Sequence, residues 1–261
     1  MKTRIITALV ALPFVLLPIW LGGVWCTALF VAVAVIAGLE FFYLMEIAGF
    51  YPNRWLGIAW LSMLALNGWR PALFPLAPVL VTGLLISVTD ALRVTENPAG
   101  RWMSTSVGAI YLGIATGQTL ALRQLPEGLW WLLYGLVVAW TNDTAAYFVG
   151  VTWGRHKLWP RISPKKTWEG TVAGWIGAAI AGAAVVSLTP LPDAVGLAAL
   201  IGGVCGVLGL FGDLSISMLK RQSGVKDTGH LIPGHGGVLD RLDSLLFVLP
   251  FIATVALLFA P

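Results

Sequence analysis

The chain has 261 residues, 58% of them hydrophobic and only 11% charged, with a formal net charge of +4. Soluble domains carry about 25% charged residues, so this composition excludes a water-soluble globular domain and indicates a membrane protein. No charge occurs between Arg4 and Glu40, between Glu169 and Asp193, or after Asp243, and a spanning helix needs about 20 mostly apolar residues.

The N-terminal "MKTRIITALVALPFVLL" has the basic start and apolar centre of a signal peptide but no small-residue cleavage site, so it reads as a retained first helix. Run lengths and breakers predict about nine spans, at 5–22, 25–45, 55–69, 72–90, 103–122, 129–150, 170–189, 194–212 and 239–259. The expected fold class is an all-α polytopic integral membrane protein with about nine transmembrane helices and two polar cytoplasmic loops. It forms a single transmembrane domain over 1–261, in which 1–128 supplies anchorage and packing and 129–261 carries the chemistry. Glu40 and Glu46 in the second span, and Asp90 at the end of the fourth, receive no role. The Gly-rich run 170–184 signals close helix packing. Cys26 and Cys205 lie in predicted helices and indicate neither a zinc site nor a disulfide framework. The thirteen Trp suit a chain with many membrane–water interfaces.

Basic charge sets the expected orientation. With the N-terminus in the cytoplasm, only Arg70 and Arg123 of the 16 Lys and Arg fall outside. The polar loops 151–169 and 213–238 then face the cytoplasm, where soluble nucleotides reach them.

Those loops hold the candidate chemistry. "GDLSISMLKRQSGVKDTGHLIPGHGGVLDRLDS" runs from Gly212 to Ser244. Asp213 ends one predicted span; Asp240 and Asp243 open the next, three apart and on one helix face. Carboxylates at membrane helix ends are costly unless paired or bound to a cation. Mg²⁺ takes carboxylate oxygens and keeps waters and substrate phosphates as its other ligands. Lys220, Arg221, Lys226 and Arg241 supply phosphate-binding charge, and Gly236 and Gly237 let backbone N–H groups approach. The bland alternative for Lys220 and Arg221 is ordinary juxtamembrane charge. His230 and His235, without nearby Cys, make a weak zinc signal; a phosphate contact or a structural hydrogen bond suits each better, and His235 is favoured for function because two Gly follow it.

The second loop begins with Asn142-Asp143 near the end of an apolar span. An intramembrane Asp is a functional candidate; the alternative is a polar pair joining helices. "SPKKTWEG" then presents Ser163, Lys165 and Lys166 ahead of a helix, where anions bind readily. Its alternative is attraction to an anionic membrane surface.

From Ser217 to Asp243 the chain resembles the phosphatidate cytidylyltransferases, also called CDP-diacylglycerol synthases. Ser217, Lys220, Arg221, Lys226, Asp227, Gly229, Pro233, His235, Gly236, Gly237, Asp240, Arg241 and Asp243 all fall at that family's signature positions. "NDTAAYFVG" and "SPKKTWEG" look like its preceding segments, so the resemblance covers roughly 140–245. It implies a nucleotidyltransferase that converts CTP and phosphatidate to CDP-diacylglycerol and pyrophosphate in phospholipid biosynthesis. It further implies Mg²⁺, a paired metal centre that can include K⁺, a homodimer in the bacterial inner membrane, and no nucleic-acid partner. By motif, Asp213 and Asp240 are the expected metal ligands, with Asp143 and Asp243 as further candidates. Asp227, His235 and Arg241 join Lys226 as catalytic candidates. Asn142, Asp143, Ser163, Lys165, Lys166, Lys220, Arg221, Gly236 and Gly237 are expected to bind substrate.

Two rival readings stand beside this one. A CTP-dependent lipid kinase would release CDP instead of pyrophosphate. An ion-coupled transporter would also use intramembrane Asp, but here the acids gather at one edge. No Walker-type phosphate loop is present.

Overall fold

The computed structural model describes residues 13–192, 194–231 and 236–259. Lipid offers no hydrogen-bond partners, so apolar runs of this kind satisfy their backbone internally as helices. The described chain is predominantly helical and falls into two compact units. One takes in the described residues up to Gln124 together with Leu219–Leu242; the other takes in Leu125–Met218 and the chain from Asp243 onward.

The first unit holds α1 (residues 13–21), α2 (Gly23–Ile47), α3 (Arg54–Asn67), α4 (Leu76–Ala91) and α5 (Pro98–Gln124). Gly22 breaks α1 from α2 with a left-handed φ of 67°. The Arg123 guanidinium lies against it and donates to the carbonyls of Ile19 (2.9 Å) and Trp20 (3.1 Å), satisfying the end of α1. Asn53 caps α3 by accepting from the Leu56 N–H. α5 is the centre of the unit. Its Gly108 meets the rings of Phe41 and Phe42, and its Gly113 and Gly117 meet the α3 backbone, where a Cβ would not fit. Arg101 clamps Asp90 with contacts of 2.7 and 3.3 Å and also donates to the Tyr51 carbonyl. This basic residue therefore holds α4 to α5.

The second unit holds α6 (Gly128–Thr152), strands β1 (Lys157–Trp159) and β2 (Ser163–Thr167), α7 (Trp168–Leu188), most of α8 (Val195–Gln222) and α10 (Leu245–Phe259). α6 and α7 pack closely because Gly170 and Gly174 of α7 face Ala146 and Asn142 of α6. The Tyr134 hydroxyl donates to the Ala198 carbonyl at 2.6 Å and ties α6 to α8.

Among the described residues, α2, α7 and α8 are long and apolar enough to cross a membrane; α4 and α10 are apolar but shorter. α3, at 14 residues, extends only about 21 Å, short of a hydrocarbon core of about 30 Å.

Four expectations change. First, α8 continues to Gln222, so Asp213, Lys220 and Arg221 are helical and the loop begins only at Ser223. Lys220 and Arg221 suit the last turn of a helix, where cations oppose the macrodipole. Second, the 151–169 loop folds as an antiparallel hairpin with Trp159 opposite Ser163. Third, the last predicted span is broken: α9 (Leu239–Leu242) stops, and α10 starts at Leu245. Asp243 sits in the break, where its Oδ1 accepts from the Ser244 N–H at 2.7 Å. Fourth, Asp240 and Asp243 therefore share no continuous helix face. The beginning of the first predicted span, along with Pro233 and His235, lies outside the described residues.

Candidate active site

The loop that follows α8 turns around one carboxylate. Asp240, only 6% exposed, pairs through Oδ1 with Lys220 Nζ at 2.6 Å. Its Oδ2 accepts from the Thr228 N–H (2.8 Å) and the Gly237 N–H (3.1 Å) and lies 3.0 Å from the Thr228 hydroxyl oxygen. Burial pushes the Asp240 carboxyl up, but the Lys220 hydrogen bond, the backbone N–H groups and the Lys220 charge outweigh it and hold the group below the ordinary carboxylate range. Gly236 adopts a left-handed φ of 82°, and a Cβ there would meet Asp240 Oδ2 at 2.8 Å. The loop's start is also tied down: the Ser223 hydroxyl is 2.8 Å from the Leu44 carbonyl of α2 and 3.0 Å from that of Leu219. Lys226, Asp227 and Arg241 are exposed around this node, as is Arg221.

A second polar group forms in the other unit. Lys166 of β2 pairs with Asp213 of α8 at 2.5 Å, and the Ser217 hydroxyl donates to Asp213 at 3.0 Å. Asp143 of α6 accepts from Asn142 at 3.2 Å and from the Ser244 side chain, within electrostatic range of Lys166 and Asp213. Asp143 itself is exposed. Asn142 is buried, and Gly174 and Gly206 approach its amide closely. That is the geometry of a polar residue joining three helices.

The "SPKK" segment is strand β2, not an open helix N-terminus. The Thr167 hydroxyl accepts from the Gly170 N–H at 3.3 Å and caps α7. Glu169 accepts from the backbone N–H groups of Arg155 (3.1 Å) and His156 (3.2 Å), holding the hairpin's entry. Lys165 is exposed, Ser163 and Lys166 half-buried. The two lysines, alike in sequence, differ in surroundings: Lys166 has a carboxylate partner, and Lys165 is exposed. Gly237, expected to offer its N–H to phosphate, gives it to Asp240.

Glu40 and Thr228 received no role from the sequence, and Ser217 was named only as a signature position. Thr228 is buried and touches Asp240. Glu40 of α2 accepts from Thr228, Val238 and Leu239. The available signal was an ionisable residue inside an apolar span.

A profile of the cytidylyltransferase family matches residues 2–259. The chain belongs to that family. Relatives of this cytidylyltransferase include a phosphatidate cytidylyltransferase of Brucella suis, 36% identical over 248 residues, which cover 94% of this chain and 89% of that protein. One from Staphylococcus haemolyticus is 33% identical over 261 residues, covering 97% of each chain. One from Bacillus subtilis is 42% identical over 156 residues, 59% of this chain and 58% of that protein. The cytidylyltransferase match thus spans both compact units and includes both polar groups.

Proposed function

We propose that this cytidylyltransferase transfers the cytidylyl group of CTP to phosphatidate, giving CDP-diacylglycerol and pyrophosphate for phospholipid synthesis. The observation that carries this reading is the end-to-end similarity to proteins named for that reaction, at 33% identity over 97% of the chain. The polar node around Asp240, within the signature that resembles those proteins, supports it.

In this reaction a phosphate oxygen of phosphatidate attacks the α-phosphorus of CTP. A new P–O bond forms, the α–β bridging P–O bond breaks, and pyrophosphate leaves. No side-chain nucleophile is needed, because the lipid phosphate is already an anion. The protein's work is positioning and charge stabilisation. Lys165 and Lys226, both exposed, serve as cationic donors to phosphate oxygens, with Arg221, Arg241 and Ser163 as further donors. Lys166 and Lys220 act differently: each holds a carboxylate in place.

Among the described residues, no group of three or more His, Cys, Asp or Glu forms a metal cage. Mg²⁺ does not require one, since it is held by one or two carboxylates plus waters and phosphates. The donor chemistry fits in each unit. Asp143 and Asp213 present two carboxylates in one polar group. In the other, a carboxylate offers about four lone-pair sites; the Thr228 and Gly237 backbone N–H groups take the two on Asp240 Oδ2 and Lys220 takes one on Oδ1, which leaves one on Oδ1. Asp243 is a further oxygen donor. When bound, Mg²⁺, with or without a second cation such as K⁺, supplies charge neutralisation at the phosphates.

The nine-span topology belongs to the same proposal, as do the cytoplasmic N-terminus, the bacterial inner-membrane location and the homodimer. A lipid substrate and a soluble nucleotide meet only at headgroup depth, and the basic loops suit that level. The test is purified protein with labelled CTP, phosphatidate and Mg²⁺. Pyrophosphate and lipid-bound cytidine are the expected products. CDP release with γ-phosphoryl transfer would replace this reading with a lipid kinase, and ion flux without either product would make the chain a transporter.

A further inference from the structure

Glu40 stands in α2, about 190 positions before the loop it touches. Its Oε1 accepts from the Val238 N–H at 2.9 Å. Its Oε2 accepts from the Leu239 N–H at 2.8 Å and from the Thr228 hydroxyl at 2.8 Å. One carboxylate thus satisfies three donors on both sides of the loop. Thr228 joins it to Asp240: the Thr228 hydroxyl reaches Glu40, and the Thr228 N–H reaches Asp240. A hydroxyl has one hydrogen; the shorter contact is with Glu40, while Asp240 keeps the backbone N–H groups of Thr228 and Gly237.

Two signature glycines take their reason from this carboxylate. A Cβ on Gly229 would lie 2.6 Å from Glu40 Oε1, with Glu40 Cδ and Cγ as its other near neighbours. A Cβ on Gly237 would collide with Glu40 Oε2 and the Thr228 hydroxyl. Neither glycine has a left-handed φ, so space, not backbone conformation, excludes a side chain. One turn further along α2, the Leu44 carbonyl meets the Ser223 hydroxyl at the loop's start. The C-terminal part of α2 therefore fastens the loop at Ser223, Thr228 and Val238–Leu239.

We infer that Glu40 is a positioning residue for cytidylyl transfer: it holds Thr228, Val238 and Leu239 so that Asp240 and the Lys226–Asp227 segment keep their places at the substrate phosphates. The inference rests on the proposed reaction and on the loop's part in it. An anionic acceptor is required, since Gln would turn an N–H₂ group toward one of three protein donors. Asp preserves the charge on a shorter stem and makes room at Gly229.

The experiment uses the full-length protein in lipid nanodiscs, with pyrophosphate release and hydrogen exchange as readouts. Glu40→Gln should lower kcat at least tenfold and speed amide exchange at Val238 and Leu239. Glu46→Gln, at an exposed position of the same helix, should match wild type. Glu40→Asp should recover part of the loss. Gly229→Ala should lower kcat, and Gly229→Ala combined with Glu40→Asp should turn over faster than Gly229→Ala alone, a reversal that general destabilisation would not produce. Unchanged exchange at Val238 and Leu239, or wild-type kcat for Glu40→Gln beside an inactive Asp240→Asn, overturns the inference. If Glu40→Gln does not fold, the Gly229 cycle decides, and purely additive losses overturn it. A wild-type protein that releases no pyrophosphate would instead remove the reaction, leaving the exchange readout to judge whether Glu40 holds the loop.

Discussion

Substituting the two ends of the Lys220–Asp240 pair separates holding the loop from doing the chemistry. The pair is close (2.6 Å) and shielded, with Lys220 12% and Asp240 6% exposed. Removing one partner of a buried pair costs about 3–5 kcal/mol. For Asp240→Asn the low end, about 3 kcal/mol, applies: the amide oxygen can keep the Thr228 and Gly237 donors, but its N–H₂ then confronts Lys220. Lys220→Met leaves Asp240 its two backbone donors, the Thr228 and Gly237 N–H groups, so about 2 kcal/mol is expected. Coupling between contacting residues reaches about 0.5–3 kcal/mol. At about 2 kcal/mol of coupling, the double variant costs about 3 kcal/mol where additivity would demand about 5. The assay is tryptic cleavage after Lys226 in the folded protein, which follows the population of the open loop when closing is fast. At 1.4 kcal/mol per tenfold, Asp240→Asn should be cut about a hundredfold faster than wild type and Lys220→Met about thirtyfold. The double variant should stay near a hundredfold. Cytidylyl transfer should remain lost in Asp240→Asn and in the double variant, because the carboxylate is missing from both. Additive cleavage rates would refute the pair as the loop's clasp, and a double variant with wild-type turnover would make Asp240 structural alone.

The depressed Asp240 carboxyl predicts an acid transition. The loop's stabilisation by that carboxylate is fully present above the unfolded carboxylate value and is lost as pH falls through the lower folded value. Hydrogen exchange over 224–231, corrected for its intrinsic pH dependence, should accelerate only below the ordinary carboxylate range; opening near neutral pH would contradict the assignment. Lys166→Ala should lower activity about ten- to a hundredfold by releasing Asp213, and Lys165→Ala should raise the KM for CTP without loosening the hairpin; equal effects of both on hairpin proteolysis would refute the division. Arg101→Ala should lower stability by about 1–3 kcal/mol through Asp90 with turnover per folded molecule unchanged, while exposed Arg93 should tolerate Ala; a thermal melt with paired turnover checks both. For orientation, Cys reporters at Ser163 and exposed Gln222 should react with impermeant reagents only after the cytoplasmic face is opened, with Cys26 and Cys205 silent because both are buried; labelling in intact cells would reverse the topology.

Composition and apolar run length alone determined that this is a helical membrane chain. Lipid leaves a backbone no partner but itself, so each long apolar run must be a helix wherever its neighbours lie. The density of acids, bases and glycines between Lys220 and Asp243 likewise singled out a candidate region without any coordinates. Charge partners were a different matter. Nothing local distinguishes Lys165 from Lys166, yet only Lys166 meets Asp213. Arg101 counted as one more topological charge until Asp90 appeared beneath it. Gly237 looked like a phosphate cradle, and the structure instead gives its N–H to Asp240 and the place of its missing Cβ to Glu40. α8 outran its apolar stretch, and there buried Ser217 donates to Asp213 one turn earlier. Glu40 itself was visible but mute, since its partners stand 188 to 199 positions away. Periodicity reports which face of a helix is oily; which distant donors come to rest against one carboxylate is decided only when the chain has folded.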